Sequence, residues 1–391
     1  MPRLSWNLVL PVAAALALAL TWGREPSNAV LAFVAVLLVG AVLAAVHHAE
    51  VVAHRFGEPF GSLVLAVAVT IIEVGLIVML MVSTEKDTST LARDTVFAAL
   101  MITVNGIVGI SLLVGALKHH LAVFNPEGTG AALATVITLA VVCLVLPTVT
   151  TSEPGPEFTP GQLAFAAVAS LALYAMFVVT QTIRHRDFFL PVRAAQHVPV
   201  VRTDAGDERT RSAAARAGTE RRLDHQPVDL DEDGHADPPT GRATVTSAAL
   251  LVVSLVAVVG LAKICSPAIE SAVAAVGFPA TVVGVVIALL VLAPETIAAV
   301  RAAARDRVQV SLNLALGSAM ASIGLTIPAL AIASIWLEGP LVLGLSTLQI
   351  VLLLVTVAVA ILTVVPGRAK PLQGGVHLVL LAAFLFLTVS P

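Results

Sequence analysis

Charged residues are scarce in this sequence, and cysteines and aromatic residues are scarcer still. Asp, Glu, Lys and Arg make up 12% of the 391 residues, against about 25% in an average soluble domain. The two cysteines, Cys143 and Cys265, are far apart in the sequence and argue against a disulfide framework or a thiolate metal site. The net charge of −3 gives no basic bias towards nucleic acid. The composition therefore points away from soluble, disulfide-rich and nucleic-acid-binding proteins.

Enzyme motifs are missing as well. The sequence contains no His-Glu-x-x-His motif, no paired aspartates within an apolar run and no nucleophilic Ser–His pairing. We therefore expect neither enzymatic activity nor a cofactor.

Long apolar runs dominate what is present, because 58% of the residues are hydrophobic. A run of about 20 apolar residues is long enough to cross a bilayer as a helix. Eleven such runs are found, at roughly 7–22, 28–46, 60–82, 95–117, 130–149, 161–183, 244–262, 279–300, 308–335, 340–365 and 372–390. This pattern predicts an all-α polytopic membrane protein with about 11 transmembrane helices.

Lysine and arginine are concentrated in alternate loops, which predicts the orientation of the chain. With the N-terminus in the cytoplasm, the short inner segments carry Arg3, Arg55, Lys118, Arg301, Arg305, Arg307, Arg368 and Lys370. The outer segments carry Arg24, Lys86, Arg93 and Lys263. We therefore expect a cytoplasmic N-terminus and, with eleven spans, a C-terminus outside.

Two of the apolar runs each contain a glutamate near the middle. Glu73 lies in the run 57–82, and Glu295 follows Pro294 in the run 277–300. An ionised carboxylate at this depth costs about 2.5–3.5 kcal/mol, so a bound cation, a proton or water must compensate for it. Both runs open with Gly-x-Pro, which indicates a duplicated unit.

A span with small and polar residues follows each glutamate span. The first contains Asn105, Gly106 and Gly109, and the second, at 309–333, contains Asn313 and Ser318. Because the loop assignment gives the two glutamate spans opposite directions, we predict two inverted-topology repeats with a central cation site at the midplane. The helix breaks typical of such sites are predicted at Pro59, Pro279, Pro294 and Pro328.

The predicted domains follow from this division. They comprise N-terminal spans at 1–56, a first half at 57–183, a cytoplasmic linker at 184–243 and a second half at 244–391. Asp229, Asp231 and Asp233 in the linker match the start of a calcium loop, but Thr240 replaces the glutamate that such a loop needs at its twelfth position. These linker aspartates therefore form either a weak regulatory sensor of calcium or protons, or an acidic segment that is simply solvated.

The chemistry of the two glutamates suits a cation and protons in turn. Glu73 and Glu295 would supply a charge of −2, and Thr70, Asn105, Asn313 and Ser318 would add neutral oxygens for a hard cation. The empty carboxylates would repel each other and take up protons. One site that holds either a metal ion or protons describes an antiporter. The alternative is that each glutamate is a protonated structural acid bonded to a neighbouring helix.

Three segments, 46–77, 292–300 and 311–328, resemble the calcium/cation antiporter superfamily and its bacterial calcium/proton antiporters. The resemblance implies inverted repeats, repeat glutamates at Glu73 and Glu295, and exchange of calcium, with sodium or potassium as further substrates, for protons. It also implies a bacterial inner membrane.

Two other kinds of transport protein stay open at this point. A sodium or potassium/proton antiporter could use the same two carboxylates, because calcium selectivity depends on cavity size and ligand count. A cation channel would arrange these acids around a pore and would need no proton coupling.

Overall fold

Apolar helices form almost all of the computed structural model, which describes residues 6–24, 26–57, 60–83, 88–191, 239–337 and 339–390. The predicted break at Pro59 and the linker residues Asp229, Asp231 and Asp233 lie outside these ranges.

The first half of the described chain contains eight α-helices interrupted by short π-helical turns. They are α1 Trp6–Thr21, α2 Asn28–Phe56, α3 Phe60–Ser83, α4 Leu91–Met101, α5 Val108–His119, α6 Pro126–Ala140, α7 Leu146–Val149 and α8 Pro160–Val179. The π-helical turns are Ile102–Ile107, Val141–Val145 and Thr180–Arg184, and a 3₁₀ turn follows at Arg186–Phe189. Because two of these turns join α4 to α5 and α6 to α7, each joined pair forms one span.

The second half contains six α-helices. They are α9 Gly241–Ala275, α10 Thr281–Ala304, α11 Val308–Gly324, α12 Thr326–Ala333, α13 Thr347–Val364 and α14 Pro371–Val389. The helices α11 and α12 lie end to end and form one span. Two short strands, β1 Ala122–Val123 and β2 Arg368–Ala369, complete the described elements.

The predicted fold class is confirmed. Within the described ranges, ten spans are long and apolar enough to cross a membrane, and the eleventh apolar helix, α1, has 16 residues. Large hydrophobic side chains are exposed along the peripheral helices, as lipid contact requires; examples are Leu16 on α1, Val168 on α8 and Leu362 on α13.

Loops from the two halves meet at two opposite faces of the bundle. At the first face, β1 pairs antiparallel with β2, and the backbone N–H of Asn125 donates a hydrogen bond to Oε1 of Gln309. At the second face, the backbones of Glu157 and Val342 form an isolated antiparallel β-bridge. We call the first the inner face, after its predicted orientation, and the second the outer face. The helix α2 ends at the inner face whereas α9 starts there, so the two halves have inverted topology.

A tight turn at Gly57 and Gly277 is common to the two halves. Both glycines have positive φ, 63° and 79°, a conformation that L side chains rarely adopt. Each follows the end of a long helix, α2 in one half and α9 in the other. The two glycines therefore occupy equivalent positions after these helices, one at each face. At Pro279 the predicted break is the α9–α10 turn, whereas α10 runs through Pro294 without ending.

The most central span is α4–α5, whose α4 residues are nearly all buried. The helix α10 approaches it closely at Gly284, where a Cβ would lie 2.9 Å from the Thr95 nitrogen. On the other side, a Cβ at Gly374 of α14 would lie 2.6 Å from the Leu113 nitrogen of α5. Small residues thus set the helix spacing, as in other membrane bundles.

This spacing gives a first prediction. Gly374→Ala should destabilise the protein by about 1–3 kcal/mol, because backbone atoms of α5 cannot yield to the added methyl group. The matched control is Gly375→Ala, since a Cβ there meets no atom within 4 Å. Melting temperatures of the purified variants in detergent measure the effect. Equal melting temperatures for the two variants would contradict close α5–α14 packing.

Candidate functional site

Glu73 of α3 and Glu295 of α10 line one cavity of about 290 Å³ inside the helix bundle. Each lies near the middle of its helix, and they are 2% and 8% exposed. Three of the other predicted ligands, Thr70, Asn313 and Ser318, line the same cavity. The inverted halves therefore bring the two mid-membrane carboxylates to a shared space.

Glu73 is held by the second half of the chain. Its Oε2 accepts hydrogen bonds from the Ser322 hydroxyl at 3.0 Å and the Thr326 hydroxyl at 3.2 Å. Its Oε1 is buried and has no hydrogen-bond partner among the described residues. One oxygen of this carboxylate is therefore fixed, and the other is left for a ligand.

Glu295 has an unsatisfied oxygen as well. Its Oε2 is buried without a hydrogen-bond partner in the described part of the chain. The charges of Glu50 and Glu73 both act on Glu295 electrostatically. A buried carboxylate under this repulsion is costly unless a positive ion or a proton neutralises it.

A helix break positions the partners of Glu73. The helix α11 ends at Gly324, Leu325 interrupts it, and α12 starts at Thr326, two residues before Pro328. Proline cannot donate a backbone hydrogen bond and disfavours helical geometry in the residue before it. The interruption at this depth agrees with the break predicted near Pro328.

The carboxamide of Asn313 is engaged although it lines the cavity. Its Nδ2 donates to the Phe189 carbonyl at 2.6 Å, and its Oδ1 accepts from Gln309 at 2.8 Å. Asn313 therefore ties the cavity wall to the 3₁₀ turn at Arg186–Phe189. Its amide oxygen would have to exchange partners to bind a cation.

Asn105 lies outside the cavity, contrary to its expected place beside the glutamates. Its Nδ2 donates to Thr356 at 2.9 Å, and its Oδ1 is 3.1 Å from Nδ1 of His377. The other ring nitrogen of His377 is 3.2 Å from the Thr363 hydroxyl. The reason is the π-helical turn at Ile102–Ile107, which rotates this side chain towards α13 and α14.

Ser322 and Thr326 were not predicted as partners of Glu73, although they lie in the small polar span at 309–333. Ser318, Ser322 and Thr326 recur every four residues, and this spacing places them on one helical face. That periodicity was the available signal. Gln181, which also lines the cavity, gave none.

The cavity extends from the glutamates towards the inner face. Its further lining residues Leu65, Gln181 and Val310 lie near the inner ends of their helices. On the outer side of the glutamates, α3 and α10 carry the buried apolar residues Leu76, Ile77, Ile287 and Val291. This apolar layer lies between the site and the outer face.

Among the described residues, no three His, Cys, Asp or Glu side chains group as a metal site. A cation in the cavity would therefore be held by the two carboxylates together with neutral oxygens and water. Such a set suits hard cations such as calcium or sodium.

Comparison with known proteins finds relatives along the whole chain. The profile of the family described as sodium/calcium exchanger protein matches residues 27–183 and 246–390. The Sinorhizobium fredii protein y4hA, a proposed ionic transporter, is 39% identical over 99% of this chain and 96% of its own length. The sodium-potassium/proton antiporter ChaA of Escherichia coli is 30% identical over 97% of this chain and 94% of its own length.

Solved structures share the fold at low sequence identity. The match with the structure of native YfkE covers 98% of this chain and 100% of the YfkE chain, with a TM-score of 0.67 and 16% identity. The match with the structure of the H⁺/Ca²⁺ exchanger CAX covers 97% of this chain and 86% of the CAX chain, with a TM-score of 0.64 and 13% identity.

Thiol labelling tests which face the cavity reaches. In a variant lacking Cys143 and Cys265, Gly317→Cys should react with a membrane-impermeant maleimide applied at the inner face, because Gly317 lines the cavity and has open space around it. Ala319→Cys is the matched control, since Ala319 is fully buried in the same helix and should stay unlabelled. Faster labelling of Gly317→Cys from the outer face would contradict the inward opening.

Proposed function

The chain belongs to the sodium/calcium exchanger protein family, and from this premise we propose that it exchanges calcium ions for protons across a membrane. One observation carries the proposal: the buried side chains of Glu73 and Glu295 line one cavity, and each has an oxygen without a hydrogen-bond partner among the described residues. Both oxygens are available to a metal ion or to protons.

Charge balance favours a divalent cation. The ionised pair carries −2, which one calcium ion or two protons neutralise completely. A single sodium or potassium ion would leave one negative charge at bilayer depth unless one glutamate stayed protonated. Calcium prefers six to eight oxygens, which the carboxylates, Thr70, Ser318 and water can provide together.

The transport cycle that fits this arrangement is alternating access. The cavity opens towards the inner face, which the proposed orientation makes cytoplasmic, and the apolar layer at Leu76, Ile77, Ile287 and Val291 closes the outer side. A cytoplasmic cation would enter here and leave after the layer opens outward. Protons moving down their inward gradient would return through the same site.

Sodium or potassium/proton exchange is the second candidate function. The specific observation in its favour is the 30% identity with a protein named as a sodium-potassium/proton antiporter. The same two glutamates would serve, with one retaining its proton while the other binds the monovalent ion.

The proposed location is the bacterial inner membrane, with the N-terminus in the cytoplasm and the C-terminus outside. A channel is disfavoured because the buried apolar layer interrupts any continuous pore. The family comprises exchangers, so a chemical reaction is not part of the proposal.

The deciding assay is the collapse of an imposed pH gradient in inverted membrane vesicles after calcium, sodium or potassium is added. Calcium should dissipate the gradient most strongly, because it neutralises both glutamates. A response to sodium or potassium alone would establish the second candidate. Cation flux without proton movement would refute exchange.

Glu73→Gln and Glu295→Gln should each abolish exchange, because a side-chain amide neither takes up and releases a proton nor supplies negative charge to a cation. Glu127→Gln is the matched control, since Glu127 is an exposed glutamate on the inner face. All three variants should reach the membrane in equal amounts, as measured by immunoblot. Unchanged exchange in either site variant would remove that residue from the proposed site.

Deleting residues 224–237, which include Asp229, Asp231 and Asp233, should leave exchange in place and change only its dependence on cation concentration or pH. The vesicle assay measures both. Complete loss of exchange by a correctly inserted deletion variant would show that this segment takes part in transport itself.

A further inference from the structure

Each half of the chain carries a second glutamate at the same distance from its Gly-x-Pro turn. Glu50 precedes Gly57 by seven residues, and Glu270 precedes Gly277 by seven residues. The six residues between the glutamate and the glycine, 51–56 in one half and 271–276 in the other, differ at every aligned position. The glutamate is therefore repeated where most of its neighbours are not.

Glu50 lies close to the inner end of α2. Its side chain is exposed, yet its charge acts on Glu295 in the cavity. It therefore lies near the inner face, to which the cavity extends, and within electrostatic reach of the buried pair.

Glu270 lies close to the outer end of α9, because the second half has the opposite orientation. It lines a separate cavity of about 210 Å³ at the outer face, together with Asp94, Thr88 and Thr90. The fully buried Ser266 donates a hydrogen bond to its Oε1 at 3.1 Å. This glutamate is half-buried and oriented, as a residue on an access route would be.

The helices that carry Glu50 and Glu270 pack against each other more extensively than any other pair of helices in the described chain. Gly75 of α3 lies against Val259 of α9, so the same pair also contacts the Glu73 helix. The two glutamates are thus fixed to one helix pair that runs past the site, with one carboxylate near each face.

We propose that Glu50 and Glu270 are the two access residues of the transport site, Glu50 attracting cations from the inner face and Glu270 from the outer face. This inference rests on the proposed exchange function. A carboxylate at a narrow mouth raises the local cation concentration and replaces part of the hydration shell before the ion reaches the buried pair. Because inverted repeats place equivalent residues at opposite faces, one repeated glutamate serves both sides.

The test measures apparent affinity separately at each face. Purified protein is reconstituted in vesicles, one orientation is silenced by an impermeant thiol reagent acting on Gly317→Cys, and exchange is driven with calcium, or with sodium, on one side at a time. Glu50→Gln should raise the KM several-fold at the inner face and leave the outer KM unchanged. Glu270→Gln should do the opposite.

Aspartate variants and surface controls separate charge from packing. Glu50→Asp and Glu270→Asp should recover most of the affinity, because they keep the carboxylate. Glu127→Gln at the inner face and Glu153→Gln at the outer face remove exposed charges elsewhere and should leave both KM values unchanged. A purely structural role of Glu270 would lower the melting temperature and reduce exchange equally from both faces.

The outcomes distinguish this inference from the proposed function. If the unmodified protein exchanges cations but the two glutamine variants show no sided change in KM, the access role is wrong and exchange stands. If the unmodified protein exchanges neither calcium, sodium nor potassium, the proposed function fails and the access role fails with it.

Discussion

The rest of the structure depends on one unfavourable arrangement, two carboxylates buried together at bilayer depth. Glu73 keeps one oxygen occupied by Ser322 and Thr326, while its other oxygen and one oxygen of Glu295 lack partners among the described residues. A pair of ionised acids in this setting is stable only with a positive partner, because water and protein dipoles cannot compensate fully for two buried charges. Gly317, Ser318 and Ala321, small residues of α11 that line the cavity, leave room for that partner.

Inverted duplication explains why the site has two glutamates and also why its two halves differ in this structure. Asn105 and Ser322 are each the fifteenth residue of their spans, counted from Leu91 and Val308. Ser322 bonds to the glutamate of the opposite half, whereas Asn105 bonds to Thr356 and His377. The polar residue of the second-half span thus bonds to a site glutamate, and that of the first-half span does not. Two equivalent halves in different local arrangements are what a transporter needs if it is to expose one site to each face in turn.

The sequence was sufficient for the features that depend on local pattern. Apolar length predicted the spans, and two isolated glutamates with a repeated Gly-x-Pro predicted a duplicated unit. The lysine and arginine distribution predicted that its halves are inverted and share a central site. Side-chain orientation across distant helices was not predictable in the same way. The pairing of Asn105 with His377 depends on a π-helical turn, and α10 continues through Pro294 because neighbouring helices can support a proline within a transmembrane helix. Position along the chain gave the depth of each residue but not the direction of its side chain.

Obligatory coupling would follow from the same electrostatics without any further device. Switching access requires a moment at which the site is closed to both faces, with the apolar layer at Leu76, Ile77, Ile287 and Val291 still in place and the inner opening closed. Two ionised glutamates enclosed in such a space would be too costly to form at a useful rate, whereas one calcium ion or two protons make the enclosed site neutral. The empty charged site would therefore stay open to one face until an ion or protons bind. Exchange, rather than leak, is then a property of where the two charges are buried.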